Sequence, residues 1–177
     1  DVLAGLKKGG TFLLNCTWTA EELNANLPGQ LKRYIAQNDI KFYIIDAVKI
    51  AQEIGLGGRI NMIMQSAFFK LADVIPLETA VKHLKEAVEH SYGKKGQNIV
   101  DMNNAAIDQG INAIVAVEVP AAWANAEDSK LAAETGNEFV DQLLVPMNRL
   151  EGDKLPVSAF NKYADGTFPC GTSAFEK

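Results

Sequence analysis

A chain of 177 residues with 47% hydrophobic content is long enough for one domain with a real core. Its 17 basic and 22 acidic side chains leave a net charge of −5, which excludes the basic footprint of a nucleic-acid binder. No apolar run approaches a membrane span, and no segment has the charged start and apolar centre of a signal peptide.

In chain order, a short helix is expected over Val2–Lys7, turned by Gly9-Gly10. Thr11–Asn15 (TFLLN) is short, apolar and abruptly ended, as a buried parallel strand is. Thr19 with Glu22 makes a capping-box pattern. Pro28 restarts that helix, which runs to about Asn38 with Leu31, Tyr34 and Ile35 inward. Lys41–Ile45 (KFYII) is the second strand. Asp46 can cap the helix Ala47–Ile54, which Gly55 closes. Strand–helix–strand–helix order predicts a three-layer α/β/α domain with a mainly parallel sheet.

Ile60–Ile75 is almost continuously apolar and reads as a buried helix stopped by Pro76. Leu77–Ser91 is amphipathic, with Leu77, Ala80, Val81, Leu84 and Val88 on one face. A further helix follows from Gln97 to about Gln109, then a strand or extended exit over Ala113–Val119. Beyond Pro120 the pattern weakens to a helix around Glu138–Leu144 and a short one after Pro146.

The end of the chain, Glu151–Lys177, has no periodicity and is broken by Gly152, Pro156, Gly166, Pro169 and Gly171. It nevertheless carries Leu155, Val157, Phe160, Tyr163, Phe168 and Phe175, anchors that a disordered tail normally lacks. It reads as an extended arm that docks on a protein surface, of this domain or of a second copy, rather than folding on itself. With no Met at its start and no closing element, the chain reads as a piece of a larger polypeptide. Residues 1–120 form the C-terminal part of an α/β domain in this reading, its upstream part missing from the sequence, and 121–177 a helical segment and extended linker toward a further domain.

Chemistry-bearing residues are sparse. In open α/β sheets ligands sit beyond the carboxyl ends of the strands. That places Asn15, Thr17 and Asp46 at the first candidate binding site, next to Cys16 and Trp18. The alternative is that Asn15 and Thr17 satisfy turn amides, Trp18 packs, and Asp46 caps a helix. Cys16 has no basic neighbour in sequence to activate it. Gly55–Arg59 has a phosphate-loop composition but follows a helix, so a helix stop and restart explains it better than a dinucleotide fingerprint. Arg59 is then either an anion ligand or the partner of a carboxylate. Two histidines, His83 and His90, lie along one amphipathic helix and read as surface groups. Asn98, Asn103, Asn104 and Asp108 read as surface or inter-helix polarity. Asn125, Glu127 and Asp128 read as loop solvation. Two cysteines outside any CxxC fit a reducing compartment, and no zinc spacing or Ser-His-Asp order can be assembled.

The ordered segments LKKGGTFLLN, KFYIIDAVKIAQEIGLGGRINMIMQSAFF, VIPLETAVKHLKEAV and VDMNNAAIDQG, with the linker pieces GDKLPVSAF and ADGTFP, resemble one family across essentially the whole chain. It is the gamma-type domain of the 2-oxoacid:acceptor oxidoreductases, most similar to the pyruvate:ferredoxin (or flavodoxin) oxidoreductases. The resemblance implies a role in oxidative decarboxylation of pyruvate to acetyl-CoA in the cytoplasm, with ferredoxin or flavodoxin as electron acceptor. It implies thiamine diphosphate, Mg2+ and 4Fe-4S clusters in other domains, with coenzyme A as substrate and a homodimeric enzyme. For this segment it implies packing and part of a coenzyme A surface, no bound cofactor, no catalytic residue and no activity in isolation. The family's glycine-rich loop and its CxxCxxC runs have no counterpart in this sequence. A free-standing, non-enzymatic α/β binding module is the alternative.

Overall fold

In a computed structural model, described for Leu3 and residues 5–128 and 134–175, the chain forms two compact units, Leu3–Ser129 and Lys130–Lys177. The first holds a three-stranded sheet in the order β1-β2-β3. Strand β1 (Thr11–Asn15) runs parallel to β2 (Lys41–Ile45), with Thr11 opposite Lys41 and Asn15 opposite Ile45. The chain between them winds through α1 (Leu23–Asn26) and α2 (Gly29–Gln37). Strand β3 (Val115–Val117) is antiparallel to β2, so the sheet is mixed. Helix α6 (Gln97–Asn112) delivers the chain near the carboxyl end of β2, where Val115 pairs with Ile44, and β3 can enter only from that end.

Alternation along the strands divides the core into layers. Phe12, Leu14, Phe42 and Ile44 face α1 and α2, where Leu23, Leu27, Ile35 and Trp123 are buried. Leu13 and Ile45 face α3 (Ala47–Ile54) and α4 (Asn61–Ala72), where Ile50, Ile63 and Ala106 close the second core. Helix α5 (Leu77–Tyr92) packs outside these, placing Leu84 and Val88 against Val100 and Ile107 of α6. This is the expected α/β/α layering.

Local signals explain most boundaries. Thr19 and Glu22 exchange reciprocal capping-box bonds of 2.9 and 3.3 Å. Pro28 precedes the first turn of α2, and Gly55 adopts φ 89° to end α3. Gly29 opens α2 because the chain at Glu127 crosses close above it: a Cβ there would lie 1.8 Å from the Glu127 carbonyl oxygen.

Several expectations need correction. Part of the Val2–Lys7 helix lies outside the described residues; Leu3 and Gly5 are turn, and Leu6 and Lys7 are irregular. Helix α4 is only half buried: Phe68 is 56% exposed, and Val74 and Ile75 beyond its end are also on the surface. Its apolar residues run right round the helix, but its neighbours, α6 above all with α5 and α3 beside it, cover only part of the circumference. Asp128 is not mere loop solvation, since it pairs with Arg33 at 2.6 Å. On α6, Asp108 makes the expected inter-helix contact, a bridge to Lys85 of α5 at 2.8 Å, but Asn103 is buried and bonds back to Ile99 of its own helix.

The second unit carries a helical stretch from Glu138, of π form over Val140–Leu144, continued by α7 (Val145–Asn148). The final segment contains neither α-helix nor strand among the described residues, in keeping with its breakers, but it winds into 3-10 turns over Gly152–Lys154, Val157–Tyr163 and Thr172–Phe175. It also folds back within its unit. Tyr163 and Phe168 pack on Phe139 with ring centroids 4.9 and 5.6 Å away, and Lys162 reaches Glu138 at 2.6 Å. The segment therefore packs on the preceding helix of its own unit, and Tyr163 and Phe168 also meet each other with centroids 5.8 Å apart, so it folds partly on itself, against that expectation. Among the described residues no helix is long and apolar enough to cross a membrane.

Candidate functional site

The carboxyl ends of β1 and β2 are stitched together by side chains. The Ala47 amide donates to Asn15 Oδ1 at 3.0 Å, and the Lys49 amide donates to Asp46 Oδ1 at 2.9 Å. The Cys16 amide donates to the Ile45 carbonyl at 3.0 Å. Asn15 and Asp46 therefore satisfy the orphan donors of the first turn of α3, as the capping alternative anticipates.

These bonds fix the loop Cys16–Ala20 beside a cavity of about 460 Å³, lined by Thr17, Trp18, Asp46, Lys49, Glu53 and Val115 among others. A neighbouring hollow of about 340 Å³ shares Cys16, Thr17, Trp18 and Asp46 and reaches Asn15 and Val48. The structure thus brings Asn15, Thr17 and Asp46 to one place. Arg59 does not join them. It lies beyond the opposite end of α3, roughly 12 Å along an eight-residue helix. There its Nε donates to the Leu56 carbonyl at 3.1 Å and stabilises the turn.

The electrostatics argue against a phosphate seat here. Asp46 and Glu53 outnumber Lys49 among the charged lining groups. Two of the helix amides that an anion would use are already taken by Asn15 and Asp46. The lining is mainly apolar around Trp18, Ile50 and Val115, which suits an uncharged or apolar ligand portion. Lys49 and Glu53 escaped the sequence reading. They stand at i+3 and i+7 from Asp46, so helical spacing puts all three on one face, a signal that was available.

Nothing in the cavity resembles an acid–base pair. Burial pushes the Cys16 thiol up, the bond to the Trp18 carbonyl opposes this, and the Asp46 charge adds to the rise. The thiol is therefore a poor nucleophile at neutral pH. His83 lies on α5, bonded to Glu86 at 3.1 Å. Among the described residues no three His, Cys, Asp or Glu side chains gather in a way that would hold a metal ion.

Comparison with known proteins agrees with this domain-like character. A family model described as pyruvate ferredoxin/flavodoxin oxidoreductase matches residues 1–113. A second, described as a domain of unknown function, matches residues 126–177. The chain is 61% identical over 176 residues to a pyruvate-flavodoxin oxidoreductase of Enterobacter agglomerans, covering 99% of the chain and 15% of that relative. It is 53% identical over 178 residues to a pyruvate:ferredoxin oxidoreductase of Moorella thermoacetica, covering 100% and 15%. A mitochondrial pyruvate dehydrogenase (NADP(+)) of Euglena gracilis is 45% identical over 183 residues, covering 100% and 10%.

Proposed function

The chain belongs to the pyruvate ferredoxin/flavodoxin oxidoreductase family, and from that membership we propose that it works as a segment of a large enzyme converting pyruvate to acetyl-CoA with reduction of ferredoxin or flavodoxin. The observation that carries the reading is coverage: 99% of the chain aligns at 61% identity with only 15% of a pyruvate-flavodoxin oxidoreductase. The first unit, which takes in residues 121–128 through the buried Trp123, serves as the gamma-type domain, and the second unit as a connector toward a ferredoxin-like domain. The enzyme works in the cytoplasm, as a homodimer.

The residues present do not fit the redox groups such an enzyme needs. A 4Fe-4S cluster takes four cysteine thiolates, and this chain has two cysteines, Cys16 and Cys170, both free. The family resemblance puts thiamine diphosphate and Mg2+ elsewhere in the enzyme as well. These cofactors are assigned to other domains. The role of this segment is to pack against them and to offer the cavity beside Thr17, Trp18 and Lys49 to an uncharged portion of coenzyme A, with phosphate contacts supplied elsewhere.

The test is steady-state kinetics of the full-length enzyme carrying Thr17→Val or Lys49→Ala. A raised KM for coenzyme A with an unchanged KM for pyruvate is expected. An unchanged KM for coenzyme A in both variants removes the cavity from the substrate path. The 177-residue chain alone should show no pyruvate-dependent viologen reduction; turnover above a no-protein control contradicts the assignment of the chemistry to other domains.

A further inference from the structure

The outer face of α4 ends in an exposed apolar corner. Phe68 is 56% exposed, Val74 65% and Ile75 37%, and Pro76 beside them is exposed as well. Phe68 meets Phe69 edge-on with ring centroids 5.4 Å apart, but only Phe69 packs into the core between α5 and α6. Single exposed apolar side chains are ordinary on a protein surface. Several that adjoin one another mark a surface that meets something else.

The direction of this face narrows what it meets. Helical spacing puts Asn61, Gln65, Phe68 and Ala72 on one side of α4. Ile63 and Ala67, on the opposite side, pack in the core that holds Leu13 and Ile45 of the strands. Phe68 therefore looks away from the sheet. Helices that accompany further strands lie on the faces of a sheet, so enlarging this sheet leaves the corner bare.

Backbone and charge at the corner add to this. Asp73 ends α4 in the left-handed region, at φ 47°, and its amide makes no capping bond. A residue other than glycine persists in that region where its surroundings hold it, and here no bond of the cap does so. Asp73 and Glu78 flank the corner, both exposed and neither in an ion pair. The lysines next to them in sequence are engaged elsewhere. Lys70 donates to the Ile111 carbonyl at 2.8 Å, and Lys82 pairs with Glu86 at 3.8 Å. The corner is thus apolar with an acidic rim, and its complement is an apolar surface edged by basic side chains.

We propose that this corner docks on a separate domain of the same polypeptide, which presents an apolar socket flanked by Lys or Arg. The occupant follows from length: the chain spans 15% of the Enterobacter agglomerans relative and 10% of the Euglena gracilis one, so most of either polypeptide lies outside the aligned segment. Phe68 is the anchor, since aromatic side chains are enriched at the cores of interfaces. The proposal rests on the reading of this chain as a segment of a longer enzyme, and it specifies the surface by which the segment packs.

The experiment is photo-crosslinking in the full-length enzyme, with a benzophenone analogue of phenylalanine in place of Phe68 or, in a second variant, of Val74. Pyruvate oxidation by the unmodified enzyme tests the longer-enzyme reading separately. Mass spectrometry should find the corner joined to a peptide of the same polypeptide that lies outside this segment and outside the remainder of the α/β domain, and that contains Lys or Arg. Asp73→Asn with Glu78→Gln should lower the yield about threefold, because the rim charges are lost. A product with the mass of two chains overturns the proposal in favour of a contact between copies. Attachment within this segment or its own α/β domain, or no attachment from either position, overturns it as well. So does a yield that the charge variants leave unchanged.

Discussion

Ser66 occupies the space that a side chain on Gly110 would need. A Cβ at Gly110 would lie 2.3 Å from Ser66 Oγ and 2.4 Å from the Ile63 carbonyl oxygen, while the Ser66 hydroxyl donates to that same carbonyl at 2.9 Å. Helices α4 and α6 therefore meet backbone to backbone at this point. Ser66 is fully buried there, its hydroxyl satisfied within its own turn.

Gly110→Ala should push the two helices apart and destabilise the first unit by roughly 1–3 kcal/mol, the usual range for overpacking. Ser66→Gly in the same chain should recover part of the loss. Thermal unfolding of the single and double variants measures it; a neutral Gly110→Ala shows that the contact relaxes without cost.

Asp46 caps α3, so Asp46→Ala should cost about 0.5–2 kcal/mol and Asp46→Asn much less, because the amide oxygen still accepts from Lys49. The same pair of variants reports on Cys16. Removing the Asp46 charge takes away one of the influences that raise the thiol. Asp46→Asn should therefore speed iodoacetamide alkylation of Cys16 at pH 8. An unchanged rate leaves burial as the whole cause. In every variant the exposed Cys170 should be alkylated first.

Asp141 receives bonds from the Thr135 amide and hydroxyl and the Gly136 amide, at 2.9, 2.8 and 3.0 Å. These hold its carboxyl below the ordinary value, the Thr135 amide contributing most. A depressed folded-state pKa means that the stabilisation is present above the unfolded carboxyl's value of about 3.9 and is lost as pH falls through the folded one. NMR titration should place the Asp141 midpoint below that of an unstructured aspartate. Asp141→Asn should flatten this acid limb of the stability profile of the second unit.

Phe139 anchors the aromatic group that holds the last segment. Phe139→Ala should cost about 3–5 kcal/mol if the space stays empty. It should also release Lys162, which Glu138 pairs at 2.6 Å, to trypsin. Cleavage after Lys162 at the wild-type rate would show that the segment is held by other contacts.

Local chemistry made most elements of this protein legible. Gly55, Pro28, Asp46 and the Thr19–Glu22 pair act within a few residues of themselves, so the boundaries they set follow from sequence. The two apolar runs TFLLN and KFYII identified a sheet covered on both faces, and their ends located the cavity, because burial on both sides leaves no polar face to write. Long-range geometry was not legible. The direction of β3 depends on which end of the sheet α6 reaches, and a three-residue strand carries no direction in its side chains. Arg59 and Asp46 look equivalent as loop residues, yet the rise of α3 sets them at opposite ends of a helix. Phe139, Tyr163 and Phe168 show no shared period because they meet across turns and not along one element. Gly110 reads as a weak point in a helix until Ser66 stands opposite it; only packing between distant segments decides that a hydrogen is the largest side chain that fits.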